Sequence, residues 1–212
     1  MHSRHRAGFT LVELMVVIAI LGLLVSVLAV AVGRHFTKAN ADLDKVNMNK
    51  LYGAMQEVVT NPSARSRFNR PENADKSGRE FFEACFRGGI MGSEQLGTVV
   101  SLGGPDAAMD RADFGADFTL PANSCSFTSP KMGKLREAMN AKERTVLFTF
   151  NSDNWNNYDS ISYGALVAWS DGEVTYITYD DAAERYEITE DEWSDPKQHL
   201  FGKKAPFKHT LE

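Results

Sequence analysis

The sequence predicts an α+β protein in which one long N-terminal helix packs on a small C-terminal antiparallel sheet. Three observations carry this. The run FTLVELMVVIAILGLLVSVLAVAVG, residues 9–33, is apolar almost throughout. Apolar residues then recur at helical spacing from Phe36 through Leu43, Val46, Leu51 and Met55 to Val58. Three short β-branched and aromatic segments follow between residues 145 and 179, the last two separated by Asp171-Gly172.

The apolar run has the length of one membrane-spanning helix, which needs ~20 such residues. No proline interrupts it, and Glu13 is its only charge. Arg4 and Arg6 precede it, so the positive-inside rule keeps Met1 cytoplasmic and sends the remainder outward. Three readings of the segment compete. A secretory signal peptide also starts basic, and Ala29-Val30-Ala31 supplies a cleavage site, but the run is longer than the usual apolar stretch of such a signal. A plain anchor gains nothing from Glu13, which costs ~2.5–3.5 kcal/mol at a helix centre and less near an end. The third reading gives Glu13 a positively charged partner.

Gly8-Phe9-Thr10-Leu11-Val12-Glu13 resembles the prepilin-processing motif of type IV pilins and type II secretion pseudopilins. The resemblance extends from Arg6 to about Leu24 and includes Gly22. It implies a leader peptide at 1–8, cut between Gly8 and Phe9 by prepilin peptidase, with methylation of the new amino terminus on Phe9. It also implies that the Glu13 carboxylate meets the amino terminus of a neighbouring pilin or pseudopilin subunit. Physics favours such a pair, because opposite charges attract strongly at low dielectric while each alone is costly to bury. The remaining implications are a bacterial inner-membrane location, an inner-membrane assembly platform as partner, and a filament as the assembled state. Val30 stands where many members carry proline, so the helix is expected to stay straight here.

Residues 9–33 are thus read as the transmembrane helix, 34–60 as its amphipathic continuation, and 61–212 as an exported pilin-like globular domain. Asn61-Pro62 ends the helical pattern, and 62–76 reads as an exposed loop. Ser77-Gly78-Arg79-Glu80 is a capping box for a short helix through Phe86, closed by Gly88-Gly89 and burying Phe81, Phe82 and Phe86. Residues 90–130 give no assignable pattern, and a short helix is expected near 134–141. Strands are expected at 145–150, 161–170 and 173–179, with Asp171-Gly172 as a tight turn whose two residues both accept positive φ. ALVAWSDGEVTYI is similar to the terminal hairpin of pseudopilin-like proteins with an H-x9-DG signature, although Ile161 stands at the histidine position and Glu173 follows Asp-Gly.

The net charge of −5 argues against a nucleic-acid partner, which requires a basic face. Cys85 and Cys125 form either one disulfide, favoured by export, or two buried thiols. Asp153, Asn154, Asn156 and Asp159 lie in an oxygen-rich run that could serve calcium, the one cofactor considered. The run lacks the order of an EF-hand, and such residues also make ordinary turns. The acidic stretch from Asp180 to Glu192 reads as solvated surface or as a contact face for a basic neighbour. Trp155, Tyr158, Trp169 and Trp193 suggest a glycan- or protein-contacting surface, with sheet packing the expected role of Trp169. No G-x-S-x-G, HExxH or P-loop occurs, so no enzymatic activity is expected.

Overall fold

A computed structural model describes residues 11–99, 119–120, 125, 127–149, 164–195, 199–209 and 211, leaving aside the side chains of 29–40 and 98. The chain divides into two units, Met1–Asn40 and Ala41–Glu212. Helix α1, Leu11–Thr60, supplies the described part of the first unit and opens the second.

In the second unit Met48, Leu51, Tyr52, Met55 and Val58 of α1 are buried in the main core. They recur every three or four residues, which puts them on one face of a helix. Asn61 then both ends α1 and starts the next helix. Its side chain accepts hydrogen bonds from the backbone N–H groups of Ser63 and Ala64, and Pro62 occupies the first turn of α2, Pro62–Phe68. The loop expected at 62–76 is therefore corrected to a helix and a 3-10 turn, Pro71–Asn73. Asn-Pro stops one helix but is equally a strong start, since proline lacks only an N–H that is unpaired there anyway. Phe68 enters the core from α2 and meets Phe81 edge-on, 5.6 Å between ring centres.

Helix α3, Gly78–Arg87, forms as expected, with Phe81 and Phe82 buried and Phe86 partly so. The capping box does not form, because Ser77 makes no side-chain cap. The Ser129 hydroxyl instead accepts from the Gly78 N–H at 2.8 Å, a bond across 51 residues that no local pattern announces. Helix α4, Ser93–Val99, occupies part of the unassigned region. A 3-10 turn, Met132–Lys134, leads into α5, Leu135–Met139.

The sheet comprises β1, Thr145–Thr149, β2, Ala165–Trp169, β3, Val174–Ile177, and β4, Lys208–His209, in the order β3-β2-β1-β4. Strands β1–β2 and β2–β3 pair antiparallel, whereas β4 runs parallel to β1, so the sheet is mixed. The β2–β3 connection is a three-residue loop, 170–172, rather than a two-residue turn. Trp169 O accepts from Gly172 N at 3.0 Å and Trp169 N donates to Glu173 O at 2.9 Å. Gly172 has φ +91°, while Asp171 is not among the residues with positive φ. Loops of this length place one left-handed residue at their end, a position that suits glycine.

Both faces of the sheet are covered. Leu166, Ala168 and Val174 join the main core, and Val146, Ala165, Val167, Trp169 and Ile177 join a second cluster. The register steps by two on β1, Val146 to Phe148, while β2 steps by one, Trp169 to Ala168. The extra residue is Leu147. A bulge of this kind breaks the two-residue alternation, which is why Leu147 and Phe148, though adjacent, enter the same core.

The acidic stretch is helical. Helix α6, Tyr179–Tyr186, and helix α7, Glu190–Trp193, each start with a capping box, Thr178 with Asp181 and Thr189 with Glu192. Ala182 of α6, Ile188 of the link and Trp193 of α7 are buried in the second cluster. Trp169 and Trp193 are therefore core residues and not an exposed contact surface.

Candidate assembly segment and processing site

The functional segment is the N-terminal part of α1. From Leu11 to Leu28 no residue is buried within the protein. The large apolar side chains there are 46–75% exposed. Fourteen such side chains, at ~1.5–3 kcal/mol for each one buried, offer on the order of 20 kcal/mol or more for leaving water. That outweighs the ~2.5–3.5 kcal/mol cost of carrying one carboxylate with them. Among the described residues, one helix is long and apolar enough to cross a membrane.

Within this segment the polar groups are handled locally. The Ser26 hydroxyl donates to the Leu23 carbonyl at 2.7 Å, so it brings no unpaired donor into hydrocarbon. Glu13 lies in the first turn of the described helix and is exposed. A carboxylate there is favoured by the positive end of the helix dipole and stands where a second chain can reach it. A Cβ built on Gly22 meets no atom within 4 Å, so that position presents open backbone to whatever lies beside the helix. Gly8 and Phe9, the expected cleavage and methylation residues, lie outside the described residues.

The other sequence-derived sites fare differently. Cys85 and Cys125 are both buried free thiols, so the expected disulfide is replaced by the alternative reading. The Cys125 thiol donates to the Phe127 carbonyl at 3.1 Å, and burial pushes the Cys85 thiol well above its ordinary range. Asp153, Asn154, Asn156 and Asp159 lie outside the described residues, as do Trp155 and Tyr158. Among the described residues no group of three or more His, Cys, Asp or Glu side chains is arranged to hold a metal.

One feature escaped the sequence reading. Lys131, Lys134 and Lys208 line a common cleft beside α5 and β1. Lys208 arrives there through the two-residue pairing of β4 with β1. A pairing that short leaves no periodicity to read, and 62 or more residues separate Lys208 from its neighbours in the chain.

These features fit a single-pass membrane anchor, with one such apolar helix among the described residues, followed by an α+β domain. Residues 3–29 match the family model described as the prokaryotic N-terminal methylation motif. The match covers the N-terminal segment alone and supports its similarity to the segment that prepilin peptidase processes in type IV pilin-like proteins. The match ends before the hairpin, so it lends nothing to the H-x9-DG resemblance. Neither a curated protein nor a solved structure matches the chain.

Proposed function

We propose that this chain is a pseudopilin, a structural subunit of a type II secretion or type IV pilus-like filament. The precursor inserts with residues 1–8 in the cytoplasm, loses them to the peptidase and is methylated on Phe9. Residues 9–33 then hold the subunit in the inner membrane, 34–60 continue the helix, and 61–212 form the exported domain. An inner-membrane platform lifts the subunit into the filament, where neighbouring helices take over from lipid.

The observation that carries this reading is that no residue from Leu11 to Leu28 is buried, in a helix that also holds Glu13. Lipid satisfies the apolar surface, whereas a carboxylate at low dielectric is stabilised most by an opposite charge. A neighbouring subunit with a methylated, positively charged amino terminus satisfies both, and the pairing fixes axial register.

Glu13→Gln in the full chain tests the proposal. Membrane insertion and cleavage after Gly8 are expected to persist, while recovery in sheared filaments falls by at least tenfold. Unchanged recovery overturns the assembly role and leaves a membrane-anchored extracytoplasmic binding domain that does not polymerise. Intact mass of the mature protein, expected to begin at a methylated Phe9, checks the processing step.

A further inference from the structure

The globular unit carries two surfaces of opposite charge. Lys131, Lys134 and Lys208 line a cleft of about 220 Å³ together with Glu137, Ala138 and Ala141. Residues 131–144 contain five Lys or Arg against two Glu, a net charge of +3 in 14 residues. The stretch 180–195 contains eight Asp or Glu against one Arg, a net charge of −7, which exceeds the −5 of the whole chain. The acid is concentrated in one place, and the rest of the chain is net positive.

Two of the cleft lysines have exposed partners. Lys134 pairs with Glu137 at 3.0 Å and Lys208 with Glu143 at 3.4 Å, contacts of the kind that exchange readily with solvent. On the acidic side Asp180, Glu184, Glu187, Glu190 and Asp191 are exposed, and no ion pair among the described residues engages their side chains. Asp180 and Glu184 lie four residues apart within α6, which places them on one face of it, and Glu187 follows at its left-handed C-terminal cap.

We propose that the lysine-lined cleft of one copy receives the acidic α6–α7 surface of a second copy of this chain. The occupant is not the chain's own acidic segment, because Ala182, Ile188 and Trp193 fix α6 and α7 in the second core cluster. A contact between two different patches is heterologous. It leaves a free cleft on one copy and a free acidic surface on the other, and so it propagates into an open array instead of closing as a dimer. This inference rests on the filament reading and names one contact between its subunits. Individually weak, salt-screened pairs suit a contact repeated along a filament and made only once the helices hold the copies together.

The test uses the full chain in its host membrane, with a photo-reactive residue in place of Ala141 in one copy and a second, differently epitope-tagged copy co-expressed. The expected product joins position 141 of one copy to a peptide within 179–193 of the other. Lys131→Glu with Lys134→Glu reduces its yield at least fivefold, and Asp180→Lys with Glu184→Lys on the opposite copy restores it. Unchanged far-UV circular dichroism accompanies each of these surface variants. A product with another region or another protein, no product in assembled filaments, or a yield indifferent to charge reversal overturns the proposal. Glu13→Gln separates the two readings. Filaments that survive it while the 179–193 product persists remove the Glu13 role alone, whereas filaments lacking that product remove this contact alone.

Discussion

The phenol of Tyr52, on α1, donates a hydrogen bond to the carbonyl of Ser170 in the β2–β3 loop, 3.0 Å away. The same ring lies where a Cβ on Gly172 would come within 3.1 Å. The hairpin tip is thus held against the helix by one polar bond and one close ring-to-backbone approach. Tyr176, on β3, repeats the tie by donating to the Ala41 carbonyl at 3.0 Å. Tyr52→Phe removes the bond and keeps the ring, so a loss of about 1 kcal/mol is expected in urea unfolding of the detergent-solubilised chain. Gly172→Ala adds backbone strain at φ +91° to the crowding, and the expected loss is larger, about 1–3 kcal/mol.

The two thiols give a chemical test of the core. Without reductant, native protein treated with iodoacetamide is expected to gain no label, since Cys85 and Cys125 are buried and burial keeps the Cys85 thiol protonated. Denatured without reductant, the chain gains two labels by mass, one for each cysteine. A disulfide gives none under the same conditions.

Asp44 sets a pH dependence. Burial raises its carboxyl from 3.8 to about 6. The folded chain therefore holds a proton that the unfolded chain has released across that window, and stability falls as pH rises through it. Asp44 keeps part of its surface in water, which reduces the effect to roughly 1 kcal/mol. Asp44→Asn is expected to raise the melting temperature at pH 7 and leave it unchanged near pH 4, read from paired melts across that range. Asp181 and Glu192 act in the opposite sense. Hydrogen bonds from Thr178 and Thr189 lower their carboxyls, so their contribution is present above the ordinary carboxylate range and is lost as pH falls through the lowered values.

Gly22 separates the subunit from its assembly. Its Cβ position is open, so Gly22→Leu is expected to leave insertion, processing and the folded domain unchanged. If helices approach closely at that point in the filament, the added side chain lowers filament recovery severalfold, measured in the sheared fraction.

The sequence made the apolar run, the Gly8–Glu13 motif, the amphipathic half of α1 and the three strands legible, because each rests on local periodicity or spacing. What it hid depends on long-range geometry. Asn61-Pro62 reads as a stop until Phe68 is seen to need a core position. The Ser77 capping box does not form, and the first turn of α3 is instead tied by the distant Ser129, which accepts from the Gly78 N–H. The acidic 180–192 stretch looks wholly solvated because one Ala, one Ile and one Trp carry its burial. Of the candidate site, Glu13 was visible as a charge in an apolar run, while the lysine cleft needed β4 to bring Lys208 beside Lys131 and Lys134.

The parallel pairing of Lys208 and His209 with Thr145 and Val146 has a consequence for biogenesis. Until those two residues are in place, β1 lacks its edge partner at Thr145 and Val146, and an unpaired edge is the kind that recruits foreign strands. A stalled or truncated product lacking them is the aggregation-prone species. The last strand to be made is therefore the one that closes this edge of the sheet.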